Sequence, residues 1–152
     1  LPHTTGALGA LPDVAPPDGF VLSEGRGPFT THNGPVYHSV EGGIFRQGFR
    51  VLAHHCNGHG IAHGGWLSAF TDGVLGAAVW RETKAPAVTL RLNVDFLDMV
   101  RPGEWVEGSG VVTRATRTLA FARAELVCGT RRVLTAEGVF KLMKSRPGTA
   151  RK

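Results

Sequence analysis

The chain has 152 residues, 42% hydrophobic and 19% charged. That suits one domain able to bury roughly two thirds of the surface its unfolded form exposes. No run reaches the roughly 18 apolar residues that a membrane-spanning helix needs. The net charge of +5 could point to nucleic acid, but the basic residues are spread through strand-like segments and a C-terminal tail, so neither nucleic acid nor membrane is expected as a partner.

In chain order, residues 1–32 carry five prolines and many glycines without periodicity. They predict an extended arm without regular structure, laid over the domain or over a partner subunit. The start at Leu1 lacks the charged and apolar regions of a secretory signal, and only Cys56 and Cys128 are present. Both points lead to the expectation of a cytoplasmic protein with free thiols. Residues 33–144 form the expected single domain and residues 145–152 a basic tail. Strand-like runs cover Val36 to Val40 and Ile44 to His55, joined at Glu41-Gly42-Gly43 as a hairpin. Gly64 to Trp80 predicts a helix that is apolar on nearly every side and must therefore be covered. Four strand-like segments follow: Ala87 to Leu97, Trp105 to Arg114, Leu119 to Val127 and Val133 to Met143. In the first of them Val88, Leu90, Leu92, Val94 and Phe96 alternate with Thr89, Arg91, Asn93 and Asp95, which assigns the apolar set to one face. Short connections exclude parallel pairing, so the fold class is α+β: an antiparallel curved sheet of five to six strands wrapped around one long buried helix. Such a sheet leaves edges and a face exposed, which predicts a dimer.

Chemistry concentrates in Asn57 to Asp72, NGHGIAHGGWLSAFTD. His63-Gly64-Gly65 opens the helix, and its bare N–H donors, backed by the positive end of the helix dipole, can polarise a carbonyl and stabilise the oxyanion formed on attack. Asn57 can donate to the same oxygen or to a leaving group. Asp72 is the only ionisable side chain between Gly64 and Trp80, and a charge in an apolar segment is costly unless paired. Eight residues beyond Gly64, it lies roughly 12 Å further along the helix axis. One carbonyl cannot reach both within a single subunit. Two antiparallel helices of a dimer remove that distance, and the small residues Gly65, Ser68, Ala69 and Gly76 beside Asp72 would let a neighbouring backbone and a substrate approach.

The arrangement of Asn57, five residues, His63-Gly64-Gly65, six residues and Asp72 resembles the signature of hotdog-fold acyl-CoA thioesterases of the phenylacetate-pathway (PaaI) type. The likeness continues through Val88-Thr89-Leu90, Asn93 to Phe96 and Arg101-Pro102-Gly103, and covers about residues 44–143. It implies a hotdog fold, hydrolysis of an acyl-CoA thioester, and self-association as a homodimer or a dimer of dimers. By this resemblance Gly64 and Asn57 hold the thioester oxygen, His63 assists near the leaving sulfur, Asp72 activates water or attacks directly, and Thr89 helps to place the water. Gly65, Trp66, Ser68 and Leu90 would line the substrate, with Phe70 or Phe96 alongside Trp66 in the acyl pocket. No cofactor is implied.

His54, His55, Cys56, His59 and His63 could collect zinc, but a strand through His54 and His55 would point them to opposite faces, so no metal is expected. Arg101, Arg114, Arg117, Arg131 and Arg132 are candidates for the nucleotide phosphates. The rival reading is a non-catalytic acyl-CoA-binding or regulatory hotdog domain. A hotdog hydratase ranks lower, since no His follows Asp72 on the helix.

Overall fold

A computed structural model describes residues 15–144. The first 14 residues of the expected arm and the basic tail 145–152 lie outside the described residues. The described chain forms one seven-stranded antiparallel sheet with a 20-residue helix against it, and no helix in it is long and apolar enough to cross a membrane. The strands are β1 (Val21–Leu22), β2 (Tyr37–Glu41), β3 (Ile44–Arg50), β4 (Ala87–Phe96), β5 (Trp105–Ala115), β6 (Leu119–Cys128) and β7 (Arg131–Leu142). Their order across the sheet is β1-β2-β3-β5-β6-β7-β4. The expected α+β hotdog architecture is present, with one strand more than the five to six read from sequence. The addition is β1, only two residues long, which pairs Val21 with His38 and Leu22 with Tyr37.

That strand and helix α1 (Pro28–Asn33) belong to the stretch expected to lack regular structure. The prolines were the misleading sign. Pro28 stands at the first helical position, where a missing N–H costs nothing, behind Gly27 at φ 84°. From Ala15 onward the arm is tied down. Phe20 packs edge-on against Trp105 with ring centroids 5.1 Å apart, and Arg50 donates to the Ala15 carbonyl at 2.9 Å.

The β2–β3 hairpin turns through Gly42 and Gly43, both at positive φ, as a two-residue loop between paired Glu41 and Ile44 requires. Strand β3 ends at Arg50, short of the expected His55, and Ala53–His55 is a turn of 3-10 helix. His54 and His55 therefore do not alternate across a strand. His54 donates to the Gly34 carbonyl at 2.9 Å. His55, 1% exposed, accepts from the Leu52 N–H and donates to the Asn33 carbonyl, so both of its ring nitrogens are used.

The long helix α2 runs from Gly64 to Thr83 and stops at Lys84 in the left-handed conformation. Its buried residues, Trp66, Leu67, Phe70, Thr71, Val74, Leu75 and Val79, sweep one broad side. They pack on Phe49, Val106, Leu126, Leu134 and Phe140 of the sheet. The helix lies close: a Cβ on Gly108 would stand 2.8 Å from both Val74 and Leu126. Burying a side chain the size of Leu75 or Phe49 contributes about 1.5–3 kcal/mol. The opposite side, with Gly65, Asp72, Gly76 and Trp80, is only partly covered within the chain, and Trp80 is 51% exposed. The expectation of a helix enclosed on every side is thus met by only part of its circumference in one subunit.

Candidate active site

The loop before α2 is held by a ladder of main-chain bonds. Cys56 and Ala62 form an isolated antiparallel bridge, Asn57 N–H donates to Ile61 O at 2.8 Å, Ala62 N–H to Val100 O at 2.8 Å, and His63 N–H to His55 O at 2.7 Å. Asn57 itself is an Asx turn, its Oδ1 accepting from the His59 N–H at 2.9 Å. That leaves the Asn57 Nδ2 donors to face outward. His63 is the helix N-cap: Nδ1 accepts the Gly65 N–H at 2.8 Å. The ring therefore carries its proton on Nε2 and presents a donor there. The Gly65 N–H is consumed by this cap, and Gly64 keeps an N–H with no partner among the described residues. Glycine suits Gly64 for a second reason, since a Cβ there would stand 3.2 Å from the Phe96 ring.

Gly64, Asn57 and Leu67 line a cavity of about 410 Å³ with Phe96, Met99 and Val100. Its far wall, the segment before β5, is fixed by Arg131, which pairs with Asp98 at 3.1 Å and with Glu104, and donates to Met99 O. Arg132 pairs with Glu125 at 2.8 Å. These two arginines, read from sequence as candidates for nucleotide phosphates, are committed to intramolecular carboxylates.

Asp72 lies two turns further along α2 beside a different cavity, of about 440 Å³. The side chain is half-buried, and its Oδ1 accepts a 2.7 Å hydrogen bond from Thr89 Oγ1. It is in no ion pair within the described residues, so an arginine does not lock it. Thr89 reaches it because β4 carries a bulge. The register passes from Thr89–Phe140 to Arg91–Val139, leaving Leu90 unpaired. The bulge shifts the side-chain alternation by one. Thr89 thereby shares the helix-facing side with Leu92 and Val94, which pack on the core, while Val88 and Leu90 are exposed. The simple apolar alternation expected from Val88 to Phe96 is broken at that point.

The structure thus gathers Asp72 with Thr89, and Gly64 with Asn57, His63 and Phe96, but keeps the two groups in separate cavities of one chain. Gly65 and Ser68 lie near them on α2, Gly65 on its less covered side. Trp66 and Phe70 do not line either cavity. Trp66 is buried, stacked on His55 at 5.1 Å with 9° between planes and edge-on to Phe49, and Phe70 lies in the same cluster. At 100° per residue Trp66 is about 120° around the helix from Asp72, on the packed side. Sequence reasoning also missed Arg26, which reaches the Asp72 cavity from the arm. The pair Gly27-Pro28, a helix start, was the available signal that the arm is built into the fold.

Neither thiol takes part. Cys56 Sγ donates to Leu52 O. Burial, reinforced by Glu104, pushes the Cys128 thiol up to about 11, so it is not a thiolate at neutral pH.

Comparison with known proteins identifies the family of this fold. Residues 59–135 match the model of the thioesterase superfamily. PA0474 of Pseudomonas aeruginosa, named as a candidate esterase, is 43% identical over 95 residues, covering 61% of this chain and 71% of that one. Mouse acyl-coenzyme A thioesterase 13 is 29% identical over 59% of this chain and 64% of its own length. A variant of the phenylacetic acid degradation protein PaaI from Thermus thermophilus superposes with a TM-score of 0.67 at 29% identity, covering 77% of this chain and all of that one. The chain belongs to the thioesterase superfamily, in its hotdog fold, and is a thioester hydrolase.

Proposed function

We propose that the protein hydrolyses an acyl-CoA thioester to the free acid and CoA, at a site shared between two subunits of a homodimer. The carrying observation is the division of the machinery. A carboxylate held by Thr89 and a helix start with a free Gly64 N–H are both present, about 12 Å apart along α2, beside separate cavities. Two α2 helices laid antiparallel through their partly covered Gly65, Asp72 and Gly76 sides would set each Asp72 against the other subunit's Gly64 and Asn57. Among the described residues the ten-residue strand β4 pairs with β7 alone, and it exposes Val88 and Leu90 at that edge. An apolar edge of that length favours pairing with a second copy. A further association into a dimer of dimers and a cytoplasmic setting complete the reading.

In this arrangement Gly64 N–H and Asn57 Nδ2 polarise the thioester carbonyl of a substrate whose reacting carbon lies beside the other subunit's Asp72. With Oδ1 held by Thr89, Oδ2 takes a proton from water as the water oxygen bonds to the carbonyl carbon. The electron pair of that carbonyl moves to its oxygen, where the two amide donors meet the charge. Collapse breaks the carbon–sulfur bond, and the His63 Nε2–H donor can support the departing thiolate. Family membership and a complete donor and acid set favour hydrolysis over the non-catalytic alternative. The test is Asp72→Ala on a panel of short, long, branched and aromatic acyl-CoA esters with free thiol as readout. Turnover is expected to fall at least about 100-fold with the fold retained. Wild-type rates in the variant would remove Asp72 from the chemistry.

A further inference from the structure

Arg26 lines the Asp72 cavity with Phe45, Trp80, Ala87, Thr89 and Phe140. The arm carries it there. Phe20 packs on Trp105, which covers Gly48 on the outer face of the sheet, so the chain passes the β1 edge before Arg26 meets α2 on the inner face. Its Nη2 is 3.3 Å from the point where a Cβ on Gly73 would stand, and Gln47 Oε1 is 4.0 Å from that same point. Gln47 is 1% exposed, and among the described residues neither its Oε1 nor its Nε2 has a hydrogen-bond partner. Among the described residues Arg26 has no ion pair or hydrogen bond either, and burial lowers its pKa. The other arginine at this cavity, Arg81, rests on the Phe45 ring at 4.7 Å.

A half-buried guanidinium and a buried amide, neither with a partner among the described residues, therefore flank Gly73, one residue beyond Asp72, and the guanidinium lines a cavity whose other walls are mostly apolar. Leaving a buried amide unpaired and drawing a guanidinium partly out of water are both costly. A bound group that accepts hydrogen bonds and carries negative charge would remove that cost. At about 440 Å³ the cavity is equivalent to a sphere roughly 9 Å across, small-ligand size. A group at Arg26 is thus within a few carbon–carbon bonds of a thioester carbon at Asp72. The CoA phosphates are too far away to be that group, because the whole pantetheine arm separates them from the sulfur.

Resting on the function proposed above, we propose that this cavity takes the acyl half of the substrate. Arg26 reads a second carboxylate at the far end of a short acyl chain. The preferred substrates are CoA monoesters of short dicarboxylic acids, about four to six carbons long. The distal carboxylate pairs with Arg26, which offsets its repulsion by Asp72. A neutral chain of equal length leaves Arg26 unpaired, the situation in which a hydrogen-bonding site rejects an analogue most strongly.

The test compares glutaryl-CoA with valeryl-CoA, by kcat/KM in the active protein and by calorimetric Kd in the Asp72→Ala background. The native Arg26 is expected to favour glutaryl-CoA at least about tenfold in both readouts, and Arg26→Gln to abolish that ratio. Arg26→Lys is expected to restore part of it. A purely structural role for Arg26 would depress both esters alike and leave the ratio standing, which would overturn the inference, as would equal treatment of the two esters by the native chain. A native chain that binds with the expected ratio yet hydrolyses neither ester would support the recognition by Arg26 while overturning the hydrolase reading.

Discussion

The two sides of helix α2 are built to opposite rules. The packed side presents Trp66, Phe70, Val74 and Leu75 to the sheet, leaving little room: a Cβ added at Gly108 or Gly138 would meet neighbours closer than 3.0 Å. The less covered side presents Gly65, Asp72 and Gly76, and a Cβ on Gly76 would meet nothing within 4 Å. Stability resides on the first, and the proposed chemistry on the second. One helix can hold both because 3.6 residues per turn separates the two sets of side chains. A mutation should therefore move one property without the other, depending on which side it touches.

The largest separation is expected from Leu75→Ala. Leu75 is fully buried, so truncation should cost about 2–5 kcal/mol of stability, measured by denaturant unfolding, while turnover per folded molecule stays near wild type. A matching loss of turnover would show that the packed side also shapes the site. On the other side, Thr89→Val removes the donor to Asp72 while keeping the shape of the side chain. Turnover is expected to drop about tenfold, with the unfolding midpoint within about 0.5 kcal/mol of wild type. A stability loss without a rate loss would make the Thr89–Asp72 bond structural.

The smallest effect concerns pH. His55, stacked on Trp66, is held neutral because burial lowers its pKa below 6.5, with His54 adding to the effect against backbone bonds that oppose it. Below that ordinary value the unfolded chain binds a proton that the folded chain resists. Stability should therefore be full above about pH 6.5 and decline as pH falls through the folded value. Unfolding midpoints that stay flat from pH 7 to 5 would contradict this.

The residues that were legible in the sequence are those whose spacing fixes chemistry. Asn57, the His63-Gly64-Gly65 helix start and Asp72 could be placed at one end and in the middle of a helix because that helix is regular, and its axial rise does not depend on tertiary context. The antiparallel sheet was legible from short turns such as Gly42-Gly43. What escaped was set by irregularity or by long-range contact. The bulge at Leu90 reverses the facing of Val88 and Thr89, and no local pattern announces it. Trp66 sits beside the glycines in sequence but on the packed side of the helix, so adjacency to the motif misled where helical phase would have decided. Arg26 joins the Asp72 cavity through an arm whose proline-rich composition hid one strand pair and a six-residue helix. The histidine pair at 54 and 55 was read as strand because β3 was taken five residues too far.

The central claim is that Asp72 of one subunit works with Asn57 and Gly64 of another, and subunit mixing tests it most directly. Asp72→Ala and Asn57→Ala, each nearly inactive alone, are unfolded together, refolded as a mixture and assayed for thiol release. Shared sites predict that each mixed dimer regains one intact site, returning about a quarter of wild-type activity for random pairing. Activity no greater than the sum of the two separate variants, in a mixture shown to contain mixed dimers, would place the whole site within one chain and contradict the account.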